Sequence, residues 1–385
     1  MHNPYILPNA KQLNLDVSHG EGCYLFDTNG DKYLDCLAGM GVNALGHKHP
    51  KIQEAILLQM NRNLHLFGYF QQDVHINLAK QLIENSHFSN LFYSNSGTEA
   101  MEAALKLLKK WGNQNERNEI ICFYGGFHGR TIGGLSITAQ ASKQKPFEPL
   151  LSGIRSIDKT IAELKNSVSK KTTAVILELI TGEGGIVPTE QSFIDELVKL
   201  REKYGFLIIV DDIQAGIGRT GTLFSHEHYG FEPDLITIAK GIGGGLPLGV
   251  LLISDHLKNI FSAGEHGSTF GGNPLACATG NAVITELLEN KLLDQVKENG
   301  DYFRTKLDRL QEKLPHIIKE IRNVGLMIGV EIGSIAPEVM NKCLEKKLIL
   351  NATQGNTIRF LPPLIISKSE IDEALSIFES VLGTY

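Results

Sequence analysis

The chain has 385 residues, a length that gives a prior of two to three domains at about 150 residues each and is ample for a large buried core. Hydrophobic residues make up 42% and charged residues 21%, a globular balance that excludes gross disorder and fibrous or disulfide-stapled scaffolds. Lys and Arg number 37 against 43 Asp and Glu, a net charge of −6, and no basic run occurs, so nucleic acid is excluded as a partner and small molecules are expected.

No apolar stretch approaches the roughly 18 residues of a spanning helix, and the opening MHNPYILPNAKQ lacks the basic and apolar regions of a signal peptide. No membrane partner and a cytoplasmic location are therefore expected. The five cysteines (Cys23, Cys36, Cys122, Cys277, Cys343) are odd in number, far apart and without a C-x-x-C pair, a pattern of reduced, mostly buried thiols rather than a disulfide framework or thiolate zinc site. The 39 glycines exceed the average share of about 7%, and the excess is expected in functional loops.

In chain order, residues 1–46 read as an N-terminal arm or part of a small domain, with turn signals at Asn29-Gly30, Gly39 and Gly41. Residues 47–275 read as a large domain in which helices alternate with short apolar runs, the signature of a layered α/β protein with a mainly parallel sheet. Within it, 94–111 looks like a turn feeding a helix: Ser96 and Glu99 have capping-box spacing, and Ala100, Ala104, Leu107 and Trp111 form one apolar stripe. The run 174–180 reads as a buried strand, and Phe193, Leu197, Leu200 and Tyr204 mark a helix. FLIIV (206–210) reads as another strand, closed by Asp211 and Asp212, and LITIA (235–239) stops at Lys240 before a glycine-rich loop. Residues 276–385 read as a smaller α+β C-terminal domain, with amphipathic patterns through Val296, Phe303, Leu307, Leu310 and Leu314 and through Ile371, Leu375, Phe378 and Leu382. These flank strand-like runs at 324–332 and 357–361.

In open parallel sheets ligands bind beyond the carboxyl ends of strands, which is where Glu178, Asp211 and Lys240 fall. A lysine buried there loses solvation, and a lowered pKa makes its amine a nucleophile toward aldehydes. Pyridoxal 5'-phosphate is the obvious aldehyde. It demands an amine for attachment, a carboxylate for its pyridine nitrogen, and N–H groups at a helix start for its phosphate. Lys240, Asp211 and Ser96-Gly97-Thr98 meet these demands together. Each alone would be unremarked, since strand-end lysines are usually solvated and S-G-T is usually a plain helix cap.

The chain resembles the class III pyridoxal-phosphate-dependent aminotransferases of fold type I along nearly its whole length. The resemblance rests on VNALGHKHP (42–50), FYSNSGTEA (92–100), FYGGFHGRT (123–131), GEGG (182–185), VDDIQAGIGRTG (210–221), ITIAKGIGGG (236–245), HGSTFGGNPLA (266–276) and IRFLPPL (358–364). Within the class the pattern is most similar to acetylornithine aminotransferases, which implies N2-acetylornithine and 2-oxoglutarate as substrates. Carried over residue by residue, the resemblance implies that Lys240 binds the cofactor and moves the substrate's proton. Asp211 pairs with the ring nitrogen, Gln214 meets the phenolic oxygen, Phe127 and Ile213 cover the ring's two faces, and Ser96, Gly97 and Thr98 hold the phosphate. Thr269 would reach the phosphate of a neighbouring subunit, implying a homodimer, and Ser268 joins the substrate-binding set. Arg359 is matched to the α-carboxylate of glutamate and Arg130 to the donor's distal carboxylate. Glu183 is matched to the partner that neutralises Arg359 when the donor brings no carboxylate beside its reacting amine.

Leu179, Thr181, Asp212 and Ala215 stand where the class usually has Pro, Gln, Glu and Thr. Asp212 keeps the charge on a shorter side chain, Thr181 lies two residues before Glu183, and HLFGYFQQ (65–72) departs from the acetylornithine pattern in a segment placed to line the donor's far end. Succinylornithine, ornithine, 4-aminobutyrate and succinyl-diaminopimelate remain alternative donors, and an aminomutase an alternative activity. Gly216, Gly218 and Gly221 match G-x-G-x-x-G, the fingerprint of a nicotinamide-dependent oxidoreductase. They follow their strand only after Asp211 to Ala215 and open no helix, so a glycine-rich turn is the favoured reading. His47 with His49 and His226 with His228 lack the carboxylate or thiol companions of a metal site, and no metal is expected.

Overall fold

The computed structural model describes residues 5, 7, 13–66 and 68–385. The rest of the opening MHNPYILPNAKQ, and Phe67 of the 65–72 stretch, lie outside them. A seven-stranded sheet organises the chain, from strands β1 (Asn90–Ser94), β2 (Glu119–Phe123), β3 (Ile154–Ile157), β4 (Thr172–Leu177), β5 (Leu207–Asp211), β6 (Leu235–Ile238) and β7 (Gly249–Ile253). Their spatial order is β1-β7-β6-β5-β4-β2-β3. From β6 across to β3 every pairing is parallel, while β7 runs antiparallel to both of its neighbours, making the sheet mixed but mainly parallel. Every residue of β4, β5 and β6 is buried, the condition of central strands covered on both faces and the reason they read as unbroken apolar runs.

The run 174–180 proves not to be one strand: β4 ends at Leu177, and Ile180–Thr181 starts a separate two-stranded piece with Val187–Pro188. The chain turns at Glu178, whose carboxylate accepts N–H bonds from Gly182 at 2.9 Å and Phe127 at 3.0 Å. The helix Gly97–Gln114 begins at Ser96, whose hydroxyl accepts from Glu99 N at 3.3 Å, while the Glu99 carboxylate reaches back to Asn95 N at 2.8 Å. The Ser96 half of the expected box is thus formed, and only the return bond from Glu99 lands one residue earlier, on Asn95. The helix Gln191–Tyr204 ends at Gly205, whose φ of 70° is the left-handed turn that favours glycine.

The helix Pro274–Glu289 packs on the helices Pro50–Met60 and Asp73–Glu84. Beyond it, Glu320–Val324, Met327–Glu331, Thr357–Phe360 and Asn351–Thr353 form an antiparallel sheet in that order, flanked by the helices Leu292–Lys313 and Lys368–Leu382. Near the N-terminus Val17–Glu21, Tyr24–Asp27 and Lys32–Asp35 form a meander, extended in parallel by Leu348–Ile349. Its Asn29-Gly30 turn is held by Asp27, whose Oδ1 accepts from the backbone of Asn29 at 2.9 Å and Asp31 at 2.8 Å. All five cysteines are buried and unpaired. Among the described residues no helix is long and apolar enough to cross a membrane, and no three His, Cys, Asp or Glu side chains are grouped as metal ligands would be.

Beside the central sheet His226 is sunk among Phe88, Phe224 and Phe231, its ring stacked on Phe224 at 5.9 Å. Its Nδ1 lies 3.0 Å from the Phe231 carbonyl oxygen, whereas Nε2 has no partner among the described residues. Burial, reinforced by the neighbouring His87, pushes its pKa down to about 4. The unfolded chain therefore takes up a proton that the folded one refuses, so stability falls as pH drops from about 6.5 toward 4, by up to roughly 3 kcal/mol from this group. Urea titrations across that interval should show His226→Phe losing less stability than the parent, and parallel curves would contradict the assignment.

Candidate active site

Each charged residue at a strand end is delivered to one cavity of about 460 Å³ on the carboxyl side of β4, β5 and β6. Its walls include Lys240, Asp211, Gln214, Ile213, Phe127, Ser96, Gly97, Thr98, Arg130 and Glu183. Arg359, on the strand Thr357–Phe360 of the antiparallel sheet, stands behind them, fully buried and bonded to the wall residues Glu183 and Gln214. Ser268 and Thr269 lie apart. Ser268 accepts a bond from Asn95 Nδ2 at 3.1 Å, at the cavity's rim, while Thr269 is exposed.

Asp211 ends β5 with its carboxylate against His128: Oδ2 lies 2.7 Å from His128 Nδ1, and both side chains are almost fully buried. Burial acts to lower the His128 pKa, but the hydrogen bond and charge of Asp211 outweigh it and hold the imidazole above its ordinary value. His128 is anchored in turn by its own N–H, which donates to the Thr138 hydroxyl at 2.8 Å. Glu178 lies behind the pair, its pKa raised by burial despite the His128 charge. Neither His128 nor the work of Glu178 is legible in spacing; the one clue to His128 is its place inside FYGGFHGRT. Lys159 was equally unannounced. It is half-buried, donates from its amine to the Glu178 carbonyl at 3.0 Å and to the Thr189 hydroxyl, and desolvation lowers its pKa to about 8.

Lys240 follows β6 with a left-handed φ of 50°, a conformation that costs a non-glycine residue energy and persists where packing enforces it. Burial, followed by the nearby Arg359 charge, pushes the amine's pKa down to about 8. At the start of the helix Gly97–Gln114, a Cβ on Gly97 would meet Ile213 Cδ1 at 2.5 Å. Only glycine lets these two segments close up there, leaving backbone N–H groups at a positive helix end for an anion. An amine of lowered pKa, a buried carboxylate and a bare helix start thus fit the three parts of pyridoxal phosphate.

The guanidinium of Arg359 has no exposure to water, and its Nη1 donates to Glu183 Oε1 at 2.8 Å, to the Gly182 carbonyl at 3.0 Å and to Gln214 Oε1 at 3.1 Å. Its Nε donates to Asn351 Oδ1 at 2.9 Å. Arg359 holds the Glu183 carboxyl below its ordinary pKa against the upward push of burial. Since Gln214 spends its oxygen on Arg359, its amide nitrogen is turned the other way, as a donor. Arg130 is exposed at the mouth, 5.5 Å from the centre of the Phe127 ring.

Of the four departures, Thr181 uses its hydroxyl to accept from Val187 N at 3.1 Å and so braces the turn carrying Glu183. Asp212 accepts from Ser225 N at 3.0 Å, its other oxygen has no partner among the described residues, and burial pushes its pKa up to about 7. Leu179 and Ala215 are plain buried apolar residues.

The aminotransferase class-III family matches residues 5–382. Acetylornithine aminotransferase of Clostridium acetobutylicum is 41% identical, over 98% of this chain and 99% of its own length. That of Caldanaerobacter subterraneus is 42% identical, over 98% and 97%. Among solved structures, an ornithine aminotransferase from Toxoplasma gondii superposes with a TM-score of 0.94 at 30% identity, covering 99% of this chain and 93% of its own. N-acetylornithine aminotransferase from Stenotrophomonas maltophilia gives 0.85 at 29%, over 96% of both chains. The chain belongs to the class-III aminotransferases. It is accordingly a fold-type-I enzyme whose cofactor is pyridoxal 5'-phosphate.

The lowered pKa of Lys240 is open to direct test. In the cofactor-free protein, the rate of Lys240 modification by an amine-reactive reagent should rise with a midpoint near pH 8 rather than 10.5. Arg359→Gln should move the midpoint upward, because it removes a positive charge that disfavours the ammonium. A midpoint near 10.5 in the parent protein would refute the assignment.

Proposed function

We propose that this enzyme moves the terminal amino group of N2-acetylornithine to 2-oxoglutarate, giving N-acetylglutamate 5-semialdehyde and glutamate, a step of arginine biosynthesis. The observation that carries this reading is the 2.8 Å contact between the buried Arg359 and the half-buried Glu183, which lines a cavity whose mouth holds a second, unshielded cation, Arg130. Glutamate brings a carboxylate beside its reacting amine and a second at its far end. An ω-amine donor brings only the distant one. A site with one gated arginine and one open arginine serves both, and the names of the 41% and 42% identical relatives support N2-acetylornithine as the donor.

Bound pyridoxal phosphate supplies an aldehyde that takes up the amino group and a pyridinium ring that draws electrons from the carbon losing its proton. Lys240, with a pKa near 8, is matched to moving that proton, since it holds or releases one near neutral pH. Asp211 would pair with the ring nitrogen, its carboxylate held in place by the 2.7 Å contact with His128. Phe127, seated by the bond from its N–H to Glu178, would cover one face of the ring, and Ile213, packed against Gly97, the other. Ser96, Gly97 and Thr98 offer donors to the phosphate. Gln214 donates to the phenolic oxygen, and Ser268 braces the rim through Asn95.

Glu183 neutralises Arg359 while the donor is bound and yields it to the α-carboxylate of glutamate. A homodimer belongs to the same reading: Thr269 lies exposed beyond its own cavity, and Phe270, Leu57, Leu58 and Leu64 present apolar surface. So does a cytoplasmic location, which five unpaired thiols suit.

Single-turnover spectra of the loaded enzyme with N2-acetylornithine, ornithine, succinylornithine and 4-aminobutyrate test the donor. N2-acetylornithine is expected to convert the cofactor fastest, and a faster rival would reassign the substrate. Arg359→Ala should slow the 2-oxoglutarate half-reaction about 100-fold, the worth of a lost charged contact, and the donor half-reaction far less. Equal losses in the two halves would remove the gated role of Arg359. Lys240→Ala should abolish turnover while leaving the thermal midpoint of the apoprotein nearly unchanged.

A further inference from the structure

The gate residue sits on a four-residue turn, Gly182 to Gly185, whose peptide groups are held from the antiparallel sheet as well. Three of its four carbonyl oxygens accept bonds from that sheet and the turn after Thr353. Gly182 O accepts from Arg359 Nη1 at 3.0 Å. Glu183 O accepts twice, from Thr353 Oγ1 at 2.6 Å and from Gln354 Nε2 at 2.8 Å. Gly185 O accepts from Arg322 Nε at 3.0 Å, and Arg322 is itself held by Glu331 at 2.9 Å and by the Thr357 hydroxyl at 3.1 Å. Thr353 is buried at the end of the strand Asn351–Thr353, and Gln354 follows it in an exposed left-handed turn.

The Glu183 side chain is placed differently. Its carboxylate has one short contact, with Arg359, and retains 30% exposure while Arg359 has none. The carboxylate can therefore swing toward solvent by rotating its side-chain bonds, whereas the backbone beneath it is pinned on both sides. We propose that Thr353, Gln354 and Arg322 form a latch of positioning residues that fixes the 182–185 turn, so that the Glu183 gate opens by side-chain rotation alone and closes again on Arg359 in one geometry. The latch rests on the gate role given to Glu183 above, and it adds a direction. Bonds that hold the turn favour the closed pair, so they matter to the half-reaction in which Arg359 has no carboxylate from substrate. They matter little once 2-oxoglutarate has displaced Glu183.

The test uses the cofactor-loaded enzyme and follows the two half-reactions separately by the cofactor's absorbance. The double variant Thr353→Val with Gln354→Ala removes both donors to Glu183 O without touching a group that faces the substrate. It is expected to slow the N2-acetylornithine half-reaction about tenfold while changing the 2-oxoglutarate half-reaction less than twofold. Glutarate, a dicarboxylate with no amine, should bind it at least as tightly as the parent in a spectral titration. Thr353→Ser keeps the hydroxyl and is expected to retain the parental ratio of the two rates. Gln354→Ala alone alters only an exposed side chain and should give a smaller shift in the same direction, which guards against loss of folding in the double variant. Glu183→Gln is measured beside them. If it leaves the donor half-reaction unchanged, the gate falls and the latch with it. If Glu183→Gln shows the expected asymmetry but the double variant slows both halves equally, or neither, the latch alone is overturned.

Discussion

A guanidinium sealed from water cannot be left without a partner, and in the reaction proposed above Arg359 exchanges one partner for another once in every catalytic cycle. Removing one member of a buried ion pair is far more costly than never having built it. The surrounding architecture is arranged around that difficulty. In that proposal Glu183 stands in for the absent carboxylate; Gln214 and the Gly182 carbonyl share Nη1 with it, Asn351 accepts from Nε, and Met40 Sδ accepts from Nη2 at 3.6 Å. The arginine also acts on the chemistry from a distance, since its charge is the second cause, after burial, of the depressed Lys240 pKa. Substrate selection and amine activation are thus joined by one residue.

The rest of the site solves a similar problem for the opposite charge. Asp211 and Glu178 are carboxylates at the ends of adjacent buried strands, and the 123–131 loop sets the His128 imidazole against Asp211 at 2.7 Å, with its pKa held up by both carboxylates. A parallel sheet makes this possible, because neighbouring strands end on the same edge and their following loops converge there. Lys159 extends the set from the outer side by gripping the Glu178 carbonyl.

What could be read from the amino-acid order alone follows from how local each feature is. β4, β5 and β6 announced themselves as apolar runs because burial on both faces leaves no polar alternation, and Asp211 and Lys240 stood out by ending such runs. The helix Gly97–Gln114 was visible through its stripe and Ser96, features set within a few residues. The break at Glu178 was hidden, because Ile180 is as apolar as the strand before it; the turn is forced by bonds to Phe127, 51 positions away. Asn351–Thr353 was hidden too, being three residues of mixed polarity whose strand character comes only from pairing with Thr357–Phe360. The partners of Arg359 and His128 lie 176 and 83 residues distant in sequence, and no spacing rule spans such separations. Only ordered motifs brought those residues to attention, and motifs name residues without supplying contacts.

The parallel pairing of Lys32–Asp35 with Leu348–Ile349 has a consequence for how the protein is made. At a synthesis rate of about 5–20 residues per second, the partner of that third strand emerges roughly 15–60 s after it. During that time the seven-stranded sheet, confined to residues 90–253, can assemble, while the N-terminal meander waits with an open strand edge. Such an edge is a template for unwanted pairing with other chains. The waiting strand is four residues long and carries a charge at each end, Lys32 and Asp35, features that blunt an exposed edge, so the beginning of the chain is built to tolerate being finished last.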